Sequence, residues 1–269
     1  MTSQEVALQV IQQAICTLAD WAEAKLPDGC EVSTKHPAVT KAKGLLSWHD
    51  DTQISYLELL FDAVKFPDSN HTDFEQHYCP AVAIEAKDDC YPSIPYPLTN
   101  NPNLEQYKKD VKKQLKNIRE QDWQNLSLLT MILEKYGSCL SFGERNIALI
   151  DIVRSTAAVA SALVDNPDAT DLGLIAGDLS GIQKFIYTIA SDGALKSLRA
   201  RSFYLELVTE EIVQQLLEEL KLPRTNVIYA GGGNLYLLGA ATQDTKLVLK
   251  KVHREFNKWL LGNFQGKVF

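Results

Sequence analysis

The sequence predicts an α+β protein in which a mainly helical region, residues 1–165, precedes a ferredoxin-like domain, residues 166–269. Two observations support this prediction. In the first region, apolar residues recur at intervals of three and four, which is typical of helices packed on a core. From residue 172 to residue 240 the pattern instead reads strand, helix, helix, strand, turn, strand, which is the order of a ferredoxin-like fold without its last strand.

Composition narrows the class of protein. The 269 residues suffice for two domains, and 45% apolar residues support real cores. The formal net charge of −7 argues against a general basic surface for nucleic acid, so any RNA contact would come from a local patch or from partner subunits. No stretch reaches the roughly 18 uncharged apolar residues of a membrane span, and the first residues do not resemble a signal peptide. We therefore expect a cytoplasmic protein without membrane association.

Six helices are expected before the second domain, separated by residues that stop or cap a helix. Between residues 67 and 103, prolines crowd an irregular insertion in which residues 79–84 are the one extended piece. The predicted helices span residues 5–26, 36–48, 54–64, 104–119, 125–136 and 146–163.

Cysteine spacing does not predict a metal site. The five cysteines form no Cys-x-x-Cys pair, so we expect free thiols in a reducing compartment. One polar loop gathers two histidines and two cysteines, but their spacing fits no common zinc site, and no zinc is expected. These residues are His71, His77, Cys79 and Cys90.

His49, Asp50 and Asp51 suggest a metal-dependent HD nuclease, which needs several histidine and aspartate ligands from different helices. Only His36 and His49 lie before residue 60. We therefore interpret this stretch as an exposed helix end and expect an HD site to be degenerate or absent.

The second domain should begin with a buried strand at 172–176 that leads to Asp178. Helices at 180–191 and 200–220, a hairpin of strands at 227–230 and 235–240, and a helix at 245–261 follow. Residues 265–269 resemble the opening of another strand, so the sheet is expected to be incomplete at the C-terminus.

The turn between the hairpin strands is rich in glycine, which permits a sharp turn or the close approach of a ligand. We expect Asp178 to face this turn across a shallow pocket that suits a phosphate. Because no second carboxylate is present, we predict no catalytic residue and no metal ligand in this chain. The predicted nucleotide-binding residues are Asp178, Ser180, Gly181, Gly231, Gly232, Gly233 and Asn234.

Two purely structural alternatives remain open for this site. Asp178 could merely cap the following helix, and the glycines could form only a tight hairpin. The densest basic cluster of the domain is Lys196, Arg199 and Arg201, which could meet guide RNA, ATP phosphate or acids of the same domain.

Three motifs, Gly177–Tyr187, Leu198–Leu207 and Tyr229–Leu238, occur in an order that resembles the first palm domain of the large polymerase-like subunit of type III CRISPR effector complexes. The stretch 146–158 resembles the segment before that palm. There, Ile152 stands where many members have the histidine of an Asp-His pair, and isoleucine cannot bind a metal. This departure resembles the type III-D branch, whose large subunits tend to lack a working HD domain.

The resemblance implies the N-terminal part of a structural and regulatory subunit of an RNA-guided antiviral complex. The subunit would hold the 5′ end of the guide RNA with partner subunits, near the target RNA, and add a non-catalytic palm to a composite site for ATP and Mg²⁺. One alternative is half of a cyclic oligoadenylate synthase whose second palm, with Gly-Gly-Asp-Asp, lies outside this chain. Another is a degenerate nucleotide-binding sensor. By itself the chain is not expected to be an enzyme.

Overall fold

The structure is a computed structural model that describes residues 1–32, 36–64, 76–82, 96–187 and 194–268. The chain divides into two compact units. The N-terminal unit is Glu5–Ala157, and the C-terminal unit is Ala158–Phe269 together with Met1–Gln4. Each unit contains a three-stranded sheet and several helices, in agreement with the predicted mixed class.

The elements up to residue 162 are mainly helical. Their sheet has the order β1-β2-β3, and both strand pairs are antiparallel. Two short 3₁₀ helices, Leu60–Ala63 and Glu120–Gln124, interrupt the connections. The helices and strands are α1 (Ser3–Trp21), α2 (Pro37–Leu45), β1 (Ile54–Tyr56), α3 (Glu105–Leu115), α4 (Leu126–Gly137), β2 (Leu140–Phe142), β3 (Glu144–Ala148) and α5 (Leu149–Ala162).

Helix α1 buries polar as well as apolar side chains. Its Gln9 and Gln12 are buried as well, and both are hydrogen-bonded. The Gln9 Oε1 accepts from the His36 backbone N–H at 3.3 Å, and the Gln12 Nε2 donates to the Trp123 carbonyl at 2.8 Å. Because a buried amide without partners is costly, these bonds allow polar side chains within the core.

The prediction of a helix at residues 54–64 is wrong. Residues 54–56 form strand β1, and only residues 60–63 are helical, as a 3₁₀ turn. Strand β1 pairs with β2, so that Ile54 lies opposite Phe142 and Tyr56 opposite Leu140. The partner strand lies about eighty-five residues further along the chain, and its pairing overrides the local helical period.

The predicted insertion at 67–103 lies partly outside the described residues. Within them, the Tyr78 N–H donates to the Leu98 carbonyl at 2.8 Å, and the Leu98 N–H returns a bond to Tyr78 at 3.0 Å. Of the four residues weighed as zinc ligands, His71 and Cys90 lie outside the described residues. His77 binds the Asp62 carboxylate through Nδ1 at 3.0 Å.

The cysteines that the structure describes are free thiols, as predicted. Burial raises the pKa of the Cys16 and Cys139 thiols to about 11, and it also raises the pKa of Cys79. These three side chains are therefore protonated at neutral pH.

The C-terminal unit contains one antiparallel sheet of the order β4-β6-β5. A 3₁₀ turn at Arg224–Asn226 leads into β5. The helices and strands are β4 (Leu172–Asp178), α6 (Ile182–Tyr187), α7 (Ala194–Leu220), β5 (Val227–Gly231), β6 (Asn234–Ala240) and α8 (Gln243–Phe264).

One face of this sheet packs against α7 and α8. Ile175, Leu235 and Leu237 form a core with Val213 of α7 and Val252 of α8. The prediction that the first strand is buried is wrong, because Ile175 is its one buried residue and Leu174 is 63% exposed. Helices cover one face of β4, and its other face stays open.

The described residues after α8 form a turn where a strand was expected. Gln265 ends the helix in the left-handed conformation, with φ of 51°, and redirects the chain. Val268 is fully buried against a cluster that includes Leu179 and Phe264. The predicted strand is therefore not formed at residues 265–268, and Phe269 lies outside the described residues.

Candidate functional site

The strand register places Asp178 beside the glycine-rich turn. Asp178 lies opposite Asn234 in the β4–β6 pair, and Asn234 lies opposite Gly231 in the β5–β6 hairpin. The Leu179 N–H donates to the Gly233 carbonyl at 2.8 Å, which extends the contact past the strand end. The prediction that Asp178 lies at the hairpin end of the sheet is confirmed; the pocket and its ligand stay predictions.

Asp178 shares the open face of the sheet with aromatic side chains. Residues directly opposite each other in a sheet point to the same side, so Asn234 and Tyr236 face outward together with Asp178. Tyr229 also pairs with Tyr236, and their ring centroids lie 6.3 Å apart. The open face thus joins a carboxylate and an amide at one end to a pair of half-exposed tyrosine rings.

Ser180 lies next to the Asp178 carboxylate. Its Oγ donates to the Asp178 Oδ2 at 3.3 Å. The hydroxyl therefore belongs to the predicted site and fixes one oxygen of the carboxylate.

The glycines of the site differ in how much space surrounds them for a ligand. A Cβ on Gly181 would lie 2.0 Å from the Lys267 carbonyl oxygen, so this glycine lets the chain's own backbone approach. Gly233 is buried, and a Cβ there would lie 2.1 Å from the Cδ1 of Ile182. Gly232 is exposed, has a φ of 61° and faces open space. Of these three, Gly232 is the one that a ligand can approach.

A carboxylate that the sequence analysis missed touches this turn. The Glu206 Oε1 on α7 accepts a hydrogen bond from the Gly232 N–H at 2.9 Å. Both residues are exposed, so the bond is open to competition from solvent or a ligand. A phosphate that uses the Gly232 N–H must displace Glu206, and the two anions would repel each other.

The predicted basic cluster divides by role. The Arg201 Nη1 donates to the Phe185 carbonyl at 2.7 Å, and its guanidinium lies 5.2 Å from the centroid of the Phe185 ring. Arg201 thus holds helix α6 in place. Lys196 and Arg199 are exposed on α7, three residues apart, and therefore share one side of the helix.

The stretch that suggested an HD nuclease is an exposed turn after α2. His49, Asp50 and Asp51 are all exposed, and Asp50 pairs with Lys43 at 3.4 Å. The predicted solvent exposure is confirmed, but α2 ends at Leu45, so these residues lie in a turn beyond the helix end. Across the described ranges, no three His, Cys, Asp or Glu side chains converge in a way that could hold a metal ion.

None of the helices described here is both long and apolar enough to cross a membrane.

A family comparison matches the C-terminal part of the chain. Residues 171–269 match the model of Csm1 subunit domain B. This segment is similar to domain B of Csm1. It contains the strand, the hairpin and both long helices that form the site.

Two curated relatives are CRISPR system single-strand-specific deoxyribonucleases Cas10/Csm1 of subtype III-A. The protein from Mycobacterium tuberculosis is 51% identical over 92 residues, which are 34% of this chain and 11% of the relative. The protein from Thermococcus onnurineus is 34% identical over 183 residues, which are 57% of this chain and 24% of the relative. The matched parts therefore span at most about a quarter of these two proteins.

Solved structures of Csm1 share the fold. The crystal structure of Csm1 from T. onnurineus is 28% identical with a TM-score of 0.63, over 86% of this chain and 32% of that one. A Csm1–Csm4 cassette in complex with cA3 is 27% identical with a TM-score of 0.64, over 86% and 31% of the two chains. At 22% identity, a cassette with AMPPNP has a TM-score of 0.71 over 100% of this chain and 44% of that one, which shows the fold alone.

These comparisons support a relation to the N-terminal part of the Cas10/Csm1 large subunit of type III-A complexes. The expected type III-D-like branch is not supported, since the named relatives belong to subtype III-A. That expectation rested on Ile152 and on the short N-terminal region, and both lie before the segment matched to domain B.

Proposed function

We propose that this chain acts as the N-terminal part of a Cas10/Csm1-type large subunit in a type III-A CRISPR interference complex. The observation that carries the proposal is the match of residues 171–269 to Csm1 subunit domain B, with 51% identity to a relative over 92 residues. Its role is structural and regulatory: it holds the region of the guide-RNA 5′ end together with partner subunits, close to the target RNA. A Csm4-type subunit is the first partner, because a related structure is a Csm1–Csm4 cassette.

The C-terminal unit acts as a palm. The strand order β4-β6-β5, all antiparallel, is that of a ferredoxin-like sheet that lacks its fourth strand, and both long helices pack on one face. In this arrangement the open face, which carries Asp178 and Asn234, is the one that a nucleotide can reach.

The palm binds ATP and does not turn it over by itself. The open face offers tyrosine rings for the base, and the exposed hairpin turn offers the Gly232 N–H for a phosphate once Glu206 is displaced, which fits a nucleotide. It does not fit a pair of Mg²⁺ ions, because Asp178 faces an amide across the strands and Glu206 already binds Gly232. Any Mg²⁺ with the nucleotide would need carboxylates from another domain at a composite site.

Nucleotide binding can be tested on the full 269-residue chain and on its complex with a Csm4-type subunit. We expect AMPPNP to bind by calorimetry, with weaker binding in Asn234→Ala and unchanged binding in Asn257→Ala, an amide on α8. Equal affinity of both variants would contradict a site at the hairpin. Failure to associate with a Csm4-type subunit would contradict the family role separately.

A second candidate function is half of a cyclic oligoadenylate synthase. It is favoured by the related Csm1–Csm4 cassette that is in complex with cA3. Adding a palm with a Gly-Gly-Asp-Asp hairpin should then yield cyclic oligoadenylate from ATP, and Asp178→Ala should reduce the yield. No product with either version would exclude this function.

We also infer that the N-terminal unit cleaves no DNA, although the relatives are named deoxyribonucleases. The resemblance of residues 146–158 puts Ile152 where many members of the family have a histidine, and His49 lies on an exposed turn. Incubation with single-stranded DNA and Mn²⁺ should leave the DNA intact. Cleavage that is lost in His49→Ala would overturn this inference.

A further inference from the structure

A second concave surface lies on the side of α7 and α8 that faces away from the sheet. It is an elongated groove with a volume of about 400 Å³, which we call the α7–α8 groove. The apolar part is formed by Tyr204 and Leu207 on α7 and by Phe256 and Trp259 on α8. It is separate from the hairpin site, which opens on the other face of the sheet.

The floor of the groove leaves large apolar side chains in water. Leu207 is 52% exposed, Trp259 42% and Tyr204 43%. The rings of Phe256 and Trp259 lie 6.0 Å apart, so these side chains form one continuous patch. Contiguous exposed apolar surface with a polar rim is typical of interaction sites, because a partner removes it from water.

The shape of the groove suits a helix. On α7 it is lined from Tyr204 to Glu219, and the fifteen helical steps between these residues span about 22 Å. The lining residues of α7 recur at intervals of three and four, so they form a straight ridge. A helix of about four turns can lie between two such ridges.

The rim of the groove is acidic. Among the described residues that line it are three glutamates and no basic side chain. Glu219 is paired with Lys251 at 2.8 Å, at one end. The carboxylates of Glu211 and Glu255 flank the apolar floor, and Glu211 accepts only a neutral bond from the Gln215 amide at 3.0 Å among the contacts described.

We propose that the α7–α8 groove binds a basic amphipathic helix of another protein. The apolar face of that helix covers Leu207 and Trp259, and lysines or arginines on its flanks meet Glu211 and Glu255. An uncharged helix would gain the apolar contact but no attraction to the glutamates of the rim. An acidic helix would be repelled by them.

The test uses the full chain and a fluorescein-labelled helical peptide of about 16 residues, with leucines on one face and lysines on both flanks. A control peptide has glutamate in place of each lysine. Polarisation should show binding of the lysine peptide. Leu207→Ser should weaken it about tenfold or more, as for an anchor at the centre of an interface. The double change Glu211→Lys with Glu255→Lys should abolish it and should favour the glutamate peptide.

Matched controls separate the groove from general effects. Leu261→Ser removes a 64% exposed leucine of α8 outside the groove, and Glu218→Lys reverses an exposed charge of α7 outside it. Both should bind like the unmodified chain, and circular dichroism should show that every variant is folded. Equal binding of both peptides, or equal effects of groove and control variants, would overturn the proposal. So would a dimer that Leu207→Ser dissociates, since the occupant would then be a second copy.

Discussion

A pair of aromatic side chains in each unit shows two opposite uses of a ring. In the N-terminal unit Trp123 and Tyr107 are 1% exposed, and their polar atoms are bonded: the Trp123 Nε1 donates to the Glu31 carbonyl and the Tyr107 hydroxyl to the Tyr136 carbonyl, both at 3.0 Å. In the C-terminal unit Tyr229 and Tyr236 lie on an open sheet face. The first pair of rings stabilises a core, and the second pair lies at a surface.

The largest expected effect comes from removing a buried ring. Trp123→Ala should lower the free energy of unfolding by about 3–5 kcal/mol, because it leaves a cavity and an unpaired Glu31 carbonyl. Urea denaturation followed by circular dichroism measures it. Trp259→Ala is the matched control, since that ring is 42% exposed and its loss should cost only about 1–2 kcal/mol. Equal losses in the two variants would break the comparison.

Sequence reasoning succeeded where a pattern was long. The helices predicted at 125–136 and 245–261 are observed as Leu126–Gly137 and Gln243–Phe264, because several turns repeat the same period. It failed for the sheet of the N-terminal unit, whose strands of three to five residues were predicted as helix or were not predicted. Strands β1 and β2 are too short to show an alternation of apolar and polar residues. Their pairing register therefore could not be predicted from the sequence of either strand.

The candidate site could be predicted in part for a related reason. Chain order alone placed Asp178 beside the hairpin, since the first strand and the hairpin belong to one sheet. The contact of Glu206 with Gly232 could not be predicted, because it depends on how α7 crosses the sheet. Tyr236 could have been found, because residues 234–237 alternate between polar or polar-tipped and aliphatic side chains, which predicts an outer and an inner face of β6.

A smaller effect should sharpen the role of the exposed rings. Tyr236→Ala should change stability by under about 1 kcal/mol but weaken AMPPNP binding about fivefold or more, as expected for a ring that stacks on a base. Tyr204→Ala is the control, because that ring is similarly exposed but lines the α7–α8 groove. If Tyr204→Ala weakened AMPPNP binding as much as Tyr236→Ala does, the open sheet face would not be the binding surface.

The smallest expected effect concerns the charge at the hairpin. Glu206→Gln keeps an oxygen that can accept the Gly232 N–H but removes the negative charge that a phosphate meets there. AMPPNP should bind about twofold to fivefold more tightly, and less so at high salt, because one exposed charge acts through screened water. Adenosine, which carries no phosphate, should bind the variant and the unmodified chain equally.

Glu218→Gln provides the matched control for that charge. It removes an exposed carboxylate from the same helix, about three turns from Glu206, and should leave AMPPNP binding unchanged. If both variants bound more tightly to the same degree, the effect would come from net charge and not from the hairpin. If Glu206→Gln alone bound Mg²⁺–AMPPNP more weakly, Glu206 would instead be a ligand of the nucleotide's metal. A carboxylate repels a bare phosphate, but it attracts a phosphate that carries a Mg²⁺ ion, because it can bind the ion.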